Sequence, residues 1–215
     1  MIISILNEKG GTGKTTLAIH ISRALTKKGK KTLLIDSDVQ GSALEWAKKW
    51  TEDLLDLVCV NTPTLHTEIK KYLPLYEYII IDGTCGITDM TANSIRVSDL
   101  VLIPLQPSDM DLKASKQIVR LVKERQEITD GKLKVALIIN RDDNVNTILS
   151  RKIKVDVQDF SLPVFQSLTK NRIAYRDSYR DGLTVLDGIY KNTEASREIE
   201  QIVKELEEFE NAHIS

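Results

Sequence analysis

The sequence predicts an α/β fold, in which a mostly parallel, twisted sheet carries helices on both faces. Short apolar runs rich in β-branched residues alternate with amphipathic stretches along the whole chain. Several of these runs are apolar at consecutive positions, which is typical of strands that are covered on both faces. The predicted strands are residues 2–6, 32–35, 57–60, 78–81, 100–105, 135–139 and 163–165.

Three of the amphipathic stretches have apolar residues at helical spacing and predict helices at 15–28, 112–126 and 194–210. Asn192 or Thr193 is positioned to cap the last helix. In parallel sheets of this kind, ligands bind at the carboxyl ends of the strands. The residues that directly follow each strand therefore carry most of the functional information.

Composition limits the classes of protein that need to be considered. The chain has 215 residues with 30 Lys and Arg against 31 Asp and Glu, a net charge of −1, and we expect one domain over 1–215. This near-neutral net charge excludes a protein that is basic over its whole surface and coats nucleic acid, but it allows a local basic patch. No secretory signal and no apolar run of about 20 residues is present, so we expect a cytoplasmic protein. Cys59 and Cys85 are far apart beside apolar runs and are predicted to be buried free thiols.

A glycine-rich loop follows the first predicted strand and leads directly into a helix. It comprises Lys9, Gly10, Gly11, Thr12, Gly13, Lys14, Thr15 and Thr16. Inward-pointing backbone N–H groups and a helix N-terminus bind phosphate, and Lys14 supplies a cation. The Thr15 hydroxyl can coordinate Mg²⁺. This strand–loop–helix context predicts a site for a nucleoside triphosphate.

The loop departs from the standard phosphate-loop pattern, because Glu8 stands where a glycine is expected and a second lysine, Lys9, follows it. It resembles the deviant Walker A box of the ParA/MinD group of P-loop ATPases. That resemblance implies ATP and Mg²⁺ as cofactors and a face-to-face homodimer with ATP between the protomers. It also implies that Lys9 reaches the partner's nucleotide, so Lys9 is a candidate catalytic residue beside Lys14.

Carboxylates follow two further strands. Asp36 and Asp38 follow the second strand. Of two acids at one strand end, one can face the ligands of a metal ion and the other a water molecule. The segment is similar to the family's Asp-x-Asp-Pro-Gln box, with Val39 in place of proline, which implies that Asp38 orients or activates the attacking water and Asp36 supports Mg²⁺. Asp82 ends an apolar strand of Walker B form and is predicted to hold Mg²⁺ through water.

Two further segments resemble the parts of the family that contact the base. Pro107 follows the fifth strand in a proline-containing strand end that is similar to the one bordering the nucleotide. Asn140 ends the strand whose terminal asparagine reads adenine in the family, and an amide can both donate to adenine and accept from it. Asparagine is also a common turn residue, so a purely structural role stays open.

The resemblance covers residues 1 to about 188, and the rest of the chain distinguishes branches of the group. Residues 192–215 hold two cations against seven glutamates, so a membrane-binding helix of the MinD type is not expected. The cluster cysteines of the nitrogenase iron protein are absent, and the group's ligases usually lack the extra lysine. Because the chain starts on its first strand, we expect no helix-turn-helix extension. It is most similar to the short, plasmid-type ParA partition proteins.

Proteins of that type bind DNA non-specifically as ATP dimers, and a centromere-binding adaptor stimulates their ATP hydrolysis. The resemblance therefore implies both partners and a nucleoid location for this protein. A basic cluster late in the chain is the candidate DNA surface, and its residues are Lys170, Arg172, Arg176 and Arg180. A solvated face is the alternative interpretation. A positioning switch that acts on a protein complex without DNA is the alternative function, and a small-molecule kinase or ligase is a third.

Overall fold

The strands build one twisted sheet whose members are all parallel. A computed structural model describes residues 1–50, 55–142 and 157–211. The strand order is β3-β2-β4-β1-β5-β6. The strands are β1 (Ile2–Ile5), β2 (Thr32–Asp36), β3 (Asp56–Cys59), β4 (Tyr78–Asp82), β5 (Leu100–Leu105) and β6 (Lys134–Ile139). The predicted α/β class is confirmed, and six of the predicted strands form within one residue of their expected positions.

Helices connect the strands across both faces. They are α1 (Lys14–Lys27), α2 (Ser42–Ala47), α3 (Leu65–Glu68), α4 (Asp89–Val97), α5 (Asp109–Ala114), α6 (Lys116–Ile128), α7 (Ile173–Arg180) and α8 (Glu194–Asn211). Short 3₁₀ turns lie at Ile69–Lys71, Val157–Phe160 and Gly188–Tyr190. The first and last predicted helices are confirmed. The Thr193 hydroxyl accepts from the Ser196 N–H at 3.3 Å, so Thr193 caps the last helix.

Two predicted elements differ from the structure. The helix expected over 112–126 starts earlier and is divided at Ser115, and the Ser108 hydroxyl caps its first part by accepting from the Asp111 N–H at 3.1 Å. The strand expected over 163–165 is a single parallel bridge between Val164 and Leu137. Pro163 has no N–H to donate, which limits the ladder at that point.

Alternate residues of each central strand are buried on opposite faces of the sheet. In β4, Ile80 packs with α1 and α8, while Ile79 and Ile81 pack on the other side. This two-sided burial explains why the strands read as continuous apolar runs. In α8, Ile199, Ile202, Val203 and Leu206 are almost completely buried. The acidic last helix therefore packs on the domain, as predicted.

No helix in the described part of the chain is both long and apolar enough to cross a membrane. The expectation that both cysteines are buried is wrong. Cys59 is exposed because it ends β3, which is an edge strand, and Cys85 is exposed in the loop that follows β4.

The strand order brings the predicted site together at one edge of the sheet. Since β1 lies beside β4, and β4 beside β2, Asp82 is in register with both Ile5 and Asp36. The phosphate loop and the carboxylates of two other strands, although up to about 70 residues apart in sequence, converge at the carboxyl edge.

Candidate nucleotide-binding site

The phosphate loop connects β1 directly to α1. Gly11 and Gly13 have φ angles of 78° and 96°, in the left-handed region that favours glycine. A Cβ on Gly13 would also lie 2.0 Å from the Asn140 amide nitrogen, so no side chain fits there. No side chain caps α1, and its first turn contains no acid. The N–H groups of that turn are therefore available to an anion.

The two lysines of the loop point to different places. Lys14 is 5% exposed, and its Nζ donates to the Lys9 carbonyl at 3.2 Å and lies 3.4 Å from Cys85 Sγ. Lys9 Nζ instead forms an ion pair of 2.8 Å with Asp111 of α5. Lys14 therefore lies against its own loop, whereas Lys9 extends to the neighbouring helix.

A cavity of about 580 Å³ opens above this loop, within the range of nucleotide and cofactor pockets. Of the predicted residues, it is lined by Gly11, Gly13, Lys14, Thr15, Thr16, Asp38, Asn140, Lys170, Arg172 and Arg176. Gly10, Thr12, Asp36, Asp82, Pro107, Arg180 and Lys9 are not among the described lining residues. The phosphate loop, Asp38 after β2, Asn140 after β6 and part of the basic cluster thus line one cavity, whereas the other predicted residues do not.

Asp82 is completely buried at the end of β4, and neither of its carboxylate oxygens has a well-formed hydrogen bond within the described chain. Burial raises the pKa of Asp82 to about 8, against the opposing effects of the Thr15 hydroxyl and the Lys14 charge. An ionised carboxylate in such a place needs a cation, and Mg²⁺ binds through one or two carboxylates, waters and substrate phosphates. Asp82 and Thr15 therefore fit a magnesium ion.

Asp36 has a different environment from Asp82. Its two carboxylate oxygens accept from the backbone N–H groups of Leu44 at 2.9 Å and Asp38 at 3.2 Å. Burial raises the pKa of Asp36, and these two hydrogen bonds oppose the rise. Asp36 thus holds the loop that carries Asp38, and its support of a metal ion stays a prediction.

Asp38 is half-buried at the cavity wall, and its Oδ1 accepts from the Gln40 N–H at 2.9 Å. The described residues contain no group of three or more His, Cys, Asp or Glu side chains that could hold a metal by themselves. A metal ion here would need phosphate oxygens to complete its ligands, as Mg²⁺ does in phosphoryl-transfer sites.

Asn140 supports the phosphate loop from behind. Its amide donates to the Thr12 carbonyl at 2.5 Å, and its side-chain oxygen accepts from the Thr169 hydroxyl. The amide is therefore engaged on both sides, and adenine reading by Asn140 stays a prediction. Pro107 lies outside the cavity wall, but the adjacent Gln106 donates to the Gly11 carbonyl at 2.7 Å.

Sequence reasoning did not select several of the residues that line the cavity, among them Arg141, Tyr175 and Tyr179. Arg141 donates to the Gly11 carbonyl at 3.1 Å, and its φ of 58° is unusual for a residue with a side chain. Its place after a strand end was the only sequence signal. Tyr175 and Tyr179 line the cavity from α7, and no motif marked either of them.

The structure disperses the predicted DNA-binding cluster. Arg172 is paired with Glu198 at 2.7 Å, and Arg180 is paired with Asp177 and Asp181. Lys170 and Arg176 are exposed, and no ion pair is found for either within the described ranges. The four side chains therefore do not form one free cationic face, and their binding of DNA stays a prediction.

Comparison with known proteins decides the family. The "CobQ/CobB/MinD/ParA nucleotide binding domain" matches residues 3–202. The chain belongs to this family. ATPases of its ParA/MinD group use ATP and Mg²⁺. The glycine loop, the size of the cavity and the Asp82 oxygens that lack a well-formed hydrogen bond agree with this.

Three similar proteins place this member of the family in context. Maintenance of carboxysome distribution protein A of Halothiobacillus neapolitanus is 29% identical over 210 residues, which is 95% of each chain. Sporulation initiation inhibitor protein Soj of Bacillus subtilis is 29% identical over 189 residues, covering 67% of this chain and 74% of Soj. The structure of a Cyanothece McdA variant with ATP superposes with a TM-score of 0.77 at 18% identity, covering 95% of each chain.

Proposed function

We propose that this protein is an Mg²⁺-ATP hydrolase that forms an ATP-sandwich homodimer, binds DNA non-specifically as that dimer, and partitions plasmid or chromosomal DNA. Hydrolysis is slow, and a small centromere-binding adaptor stimulates it to reset the switch. The protein acts in the cytoplasm in association with the nucleoid. A polymer of such dimers is a variant of the same proposal, because it uses the same nucleotide chemistry.

The divergence of the two loop lysines carries the proposal. The Lys14 ammonium lies against its own phosphate loop, where it would stabilise the charge of a bound phosphate. The Lys9 ammonium lies outside its own cavity on Asp111, and 36% of its side chain is exposed. A partly exposed lysine that lies outside its own cavity can exchange its ion pair for the phosphates of a nucleotide that a second copy of the chain holds.

Exposed apolar side chains beside the cavity and beside the Lys9 ion pair support a covering partner. Val39, Met110 and Ile173 are 72%, 73% and 64% exposed. Each lies next in sequence to a residue that lines the cavity or binds Lys9. Single exposed apolar residues are ordinary, but two beside residues of the cavity and one beside the Lys9 ion pair favour a surface that a second protomer covers.

The described side chains provide the chemistry of hydrolysis. Asp38 lies at the cavity wall with one oxygen held by Gln40, so its other oxygen can orient a water and accept its proton. Lys14 and the free N–H groups of α1 stabilise the charge that develops on the phosphate oxygens. Mg²⁺ supplies Lewis-acid polarisation of those oxygens when it is bound, and Thr15 and Asp82 are the residues that would hold it.

A dimerisation experiment tests the role of Lys9. The Asp38→Ala variant, which is expected not to hydrolyse ATP, should sediment as a dimer with Mg²⁺-ATP and as a monomer with ADP. Adding Lys9→Ala should leave ATP binding intact and return the protein to a monomer. A double variant that dimerises as well as Asp38→Ala would remove Lys9 from the interface.

DNA binding is tested with a labelled duplex of arbitrary sequence, with ATP and with ADP, at two salt concentrations. We expect ATP-dependent binding that weakens with salt, with a logarithmic slope of about −0.9 for each phosphate contacted. Arg176→Ala with Arg180→Ala should lower the affinity and the slope. The matched control is the Lys116→Ala, Lys123→Ala variant of α6. If only this α6 variant lost DNA affinity, the DNA-binding surface would lie on α6 instead.

The alternative is a positioning switch that acts on a protein complex without binding DNA. Its support is the similarity, over 95% of both chains, to a protein named for carboxysome distribution. The same duplex experiment separates the two functions. An ATP-dependent dimer without measurable DNA binding at low salt would favour this alternative over partition.

A further inference from the structure

A buried acid of the last helix, Glu198, makes three of the contacts between that helix and one wall of the nucleotide cavity; the Tyr175 hydroxyl also donates to the Ala195 carbonyl at 3.2 Å. Glu198 of α8 is 8% exposed. Its Oε1 accepts from Arg172 Nε at 2.7 Å, and its Oε2 accepts from the Tyr175 hydroxyl at 3.0 Å and the Lys170 N–H at 3.2 Å. Both carboxylate oxygens are satisfied, which is required for a charge at this depth.

All three groups that Glu198 holds also line the nucleotide cavity. Lys170, Arg172 and Tyr175 belong to the wall that faces the phosphate loop from the segment between β6 and α8. This wall includes the start of α7 and contains no part of the glycine loop. A nucleotide whose phosphates bind to that loop would extend into the same cavity, which this wall also lines.

A second contact ties the same wall to the helix that follows the phosphate loop. The Tyr175 ring packs edge-on against His20 of α1 with the ring centroids 5.3 Å apart, and the His20 ring is hydrogen-bonded to the Thr16 carbonyl at 2.7 Å. Burial, together with the nearby Glu198 charge, raises the pKa of Tyr175, so its hydroxyl remains a donor. Tyr175 is therefore held between α1 and α8.

We infer that Glu198 is a positioning residue for the nucleotide, which acts by holding the wall at Lys170, Arg172 and Tyr175 against the nucleoside rather than against the phosphates. Removing the charge leaves the Arg172 guanidinium with only the exposed Glu194 and takes away the carboxylate partner of the Lys170 N–H and of the Tyr175 hydroxyl, which retains the Ala195 carbonyl at 3.2 Å. The inference depends on nucleotide binding alone and is independent of the proposed dimer and of DNA.

Glu205 offers a matched control on the same helix. Its carboxylate accepts from the backbone N–H groups of Gln166 at 2.6 Å and Ser167 at 2.7 Å, just before the wall. Neither Gln166 nor Ser167 is among the described residues that line the cavity. Glu205→Gln thus removes a similar contact between helix and loop without touching the wall.

The test compares Mg²⁺-ADP with inorganic pyrophosphate by titration calorimetry, because both bind without hydrolysis. Glu198→Gln should weaken ADP binding about tenfold, as expected for the loss of one charged hydrogen bond, and change pyrophosphate binding less than about twofold. Glu205→Gln should leave the ratio of the two affinities unchanged. Thermal unfolding of both variants reports the loss of stability separately.

Two results would overturn the inference. One is an equal loss of ADP and pyrophosphate affinity in Glu198→Gln, and the other is a Glu205→Gln variant with the same selective loss of ADP. If Glu198→Gln does not fold, Tyr175→Phe keeps the ring on His20 and removes one of the three contacts. It should then show a smaller loss, about threefold, that is again confined to ADP, and an unchanged ADP affinity would count against the wall.

Discussion

The two ends of the nucleotide cavity are built in opposite ways. The phosphate end comes from one continuous loop, residues 9–16, with Asp38 and Asp82 added from neighbouring strand ends. The wall across from it comes from 169–179, and a helix that begins at Glu194 holds it in place. The first end depends on backbone geometry that a short segment specifies, and the second depends on packing between distant segments.

The contrast affects what each end can do. Backbone N–H groups, glycines at positive φ and one lysine recognise a phosphate, whatever is attached to it. The wall uses side chains whose positions depend on buried contacts with α1 and α8, so it can select the nucleoside. The proposed chemistry of hydrolysis thus lies at the phosphate end, and the proposed affinity for the nucleoside lies at the wall.

The largest expected effect separates chemistry from binding at the phosphate end. Asp38→Ala should lower ATP hydrolysis by about 10²–10⁴-fold, because proton transfer by a positioned carboxylate contributes that much. ADP affinity should change little. Single-turnover phosphate release measures the first quantity and calorimetry the second. Gln40→Ala at the same wall is the control, and near-normal turnover in Asp38→Ala would assign its proposed role to another residue.

The next effect compares the two lysines. Lys14→Ala should weaken both ADP and pyrophosphate binding about 100-fold, since it removes a charged partner of the phosphates. Lys9→Ala should leave the binding of both ligands unchanged in the monomer, because its ammonium lies on Asp111. The measurement is calorimetry in parallel on the two variants. Equal losses would mean that both lysines serve the same nucleotide.

A pH effect probes the wall. Burial lowers the pKa of His20 from about 6.5 to about 4, although the Thr16 carbonyl and Asp187 act to raise it. Since the pKa in the folded protein lies below the unfolded value, the stability from neutral His20 is complete above pH 6.5 and is lost progressively as the pH falls from about 6.5 to about 4. Between pH 7.5 and 5 we expect a loss of about 2 kcal/mol in the free energy of unfolding.

Urea unfolding at these two pH values measures this loss. His20→Gln cannot titrate in this range, so its pH dependence should be smaller than that of the unchanged protein by about the same 2 kcal/mol. Identical pH dependence in the two proteins would show that His20 does not contribute to acid sensitivity.

The smallest effect sharpens the inference about Glu198. Glu194 is the second acidic neighbour of Arg172, at 3.5 Å, but 64% of its side chain is exposed. Glu194→Gln should change ADP affinity less than about twofold and stability by at most about 0.5 kcal/mol, as is usual for solvent-exposed pairs. The same calorimetry measures it. An effect as large as that of Glu198→Gln would mean that net charge near Arg172 matters and burial does not.

Much of the fold could be predicted because its signals are local. The β-branched runs of β1, β4 and β5 and the glycine turn before α1 specify backbone states within a few residues, and those predictions are confirmed. The division of the helix at Ser115 and the single bridge at Val164 were missed, since both depend on neighbouring segments. The exposure of Cys59 was missed for a related reason, because its sequence does not show that β3 is an edge strand.

The sequence by itself determined the phosphate end of this protein. Backbone conformation at Gly11 and Gly13, and the chemistry of Lys14, follow from residue types in one short segment. Only the tertiary structure decided where Lys9 lies, that Asn140 supports the loop, and that Glu198 engages Arg172. Those outcomes depend on contacts between residues 26 to 128 positions apart, which no local pattern encodes.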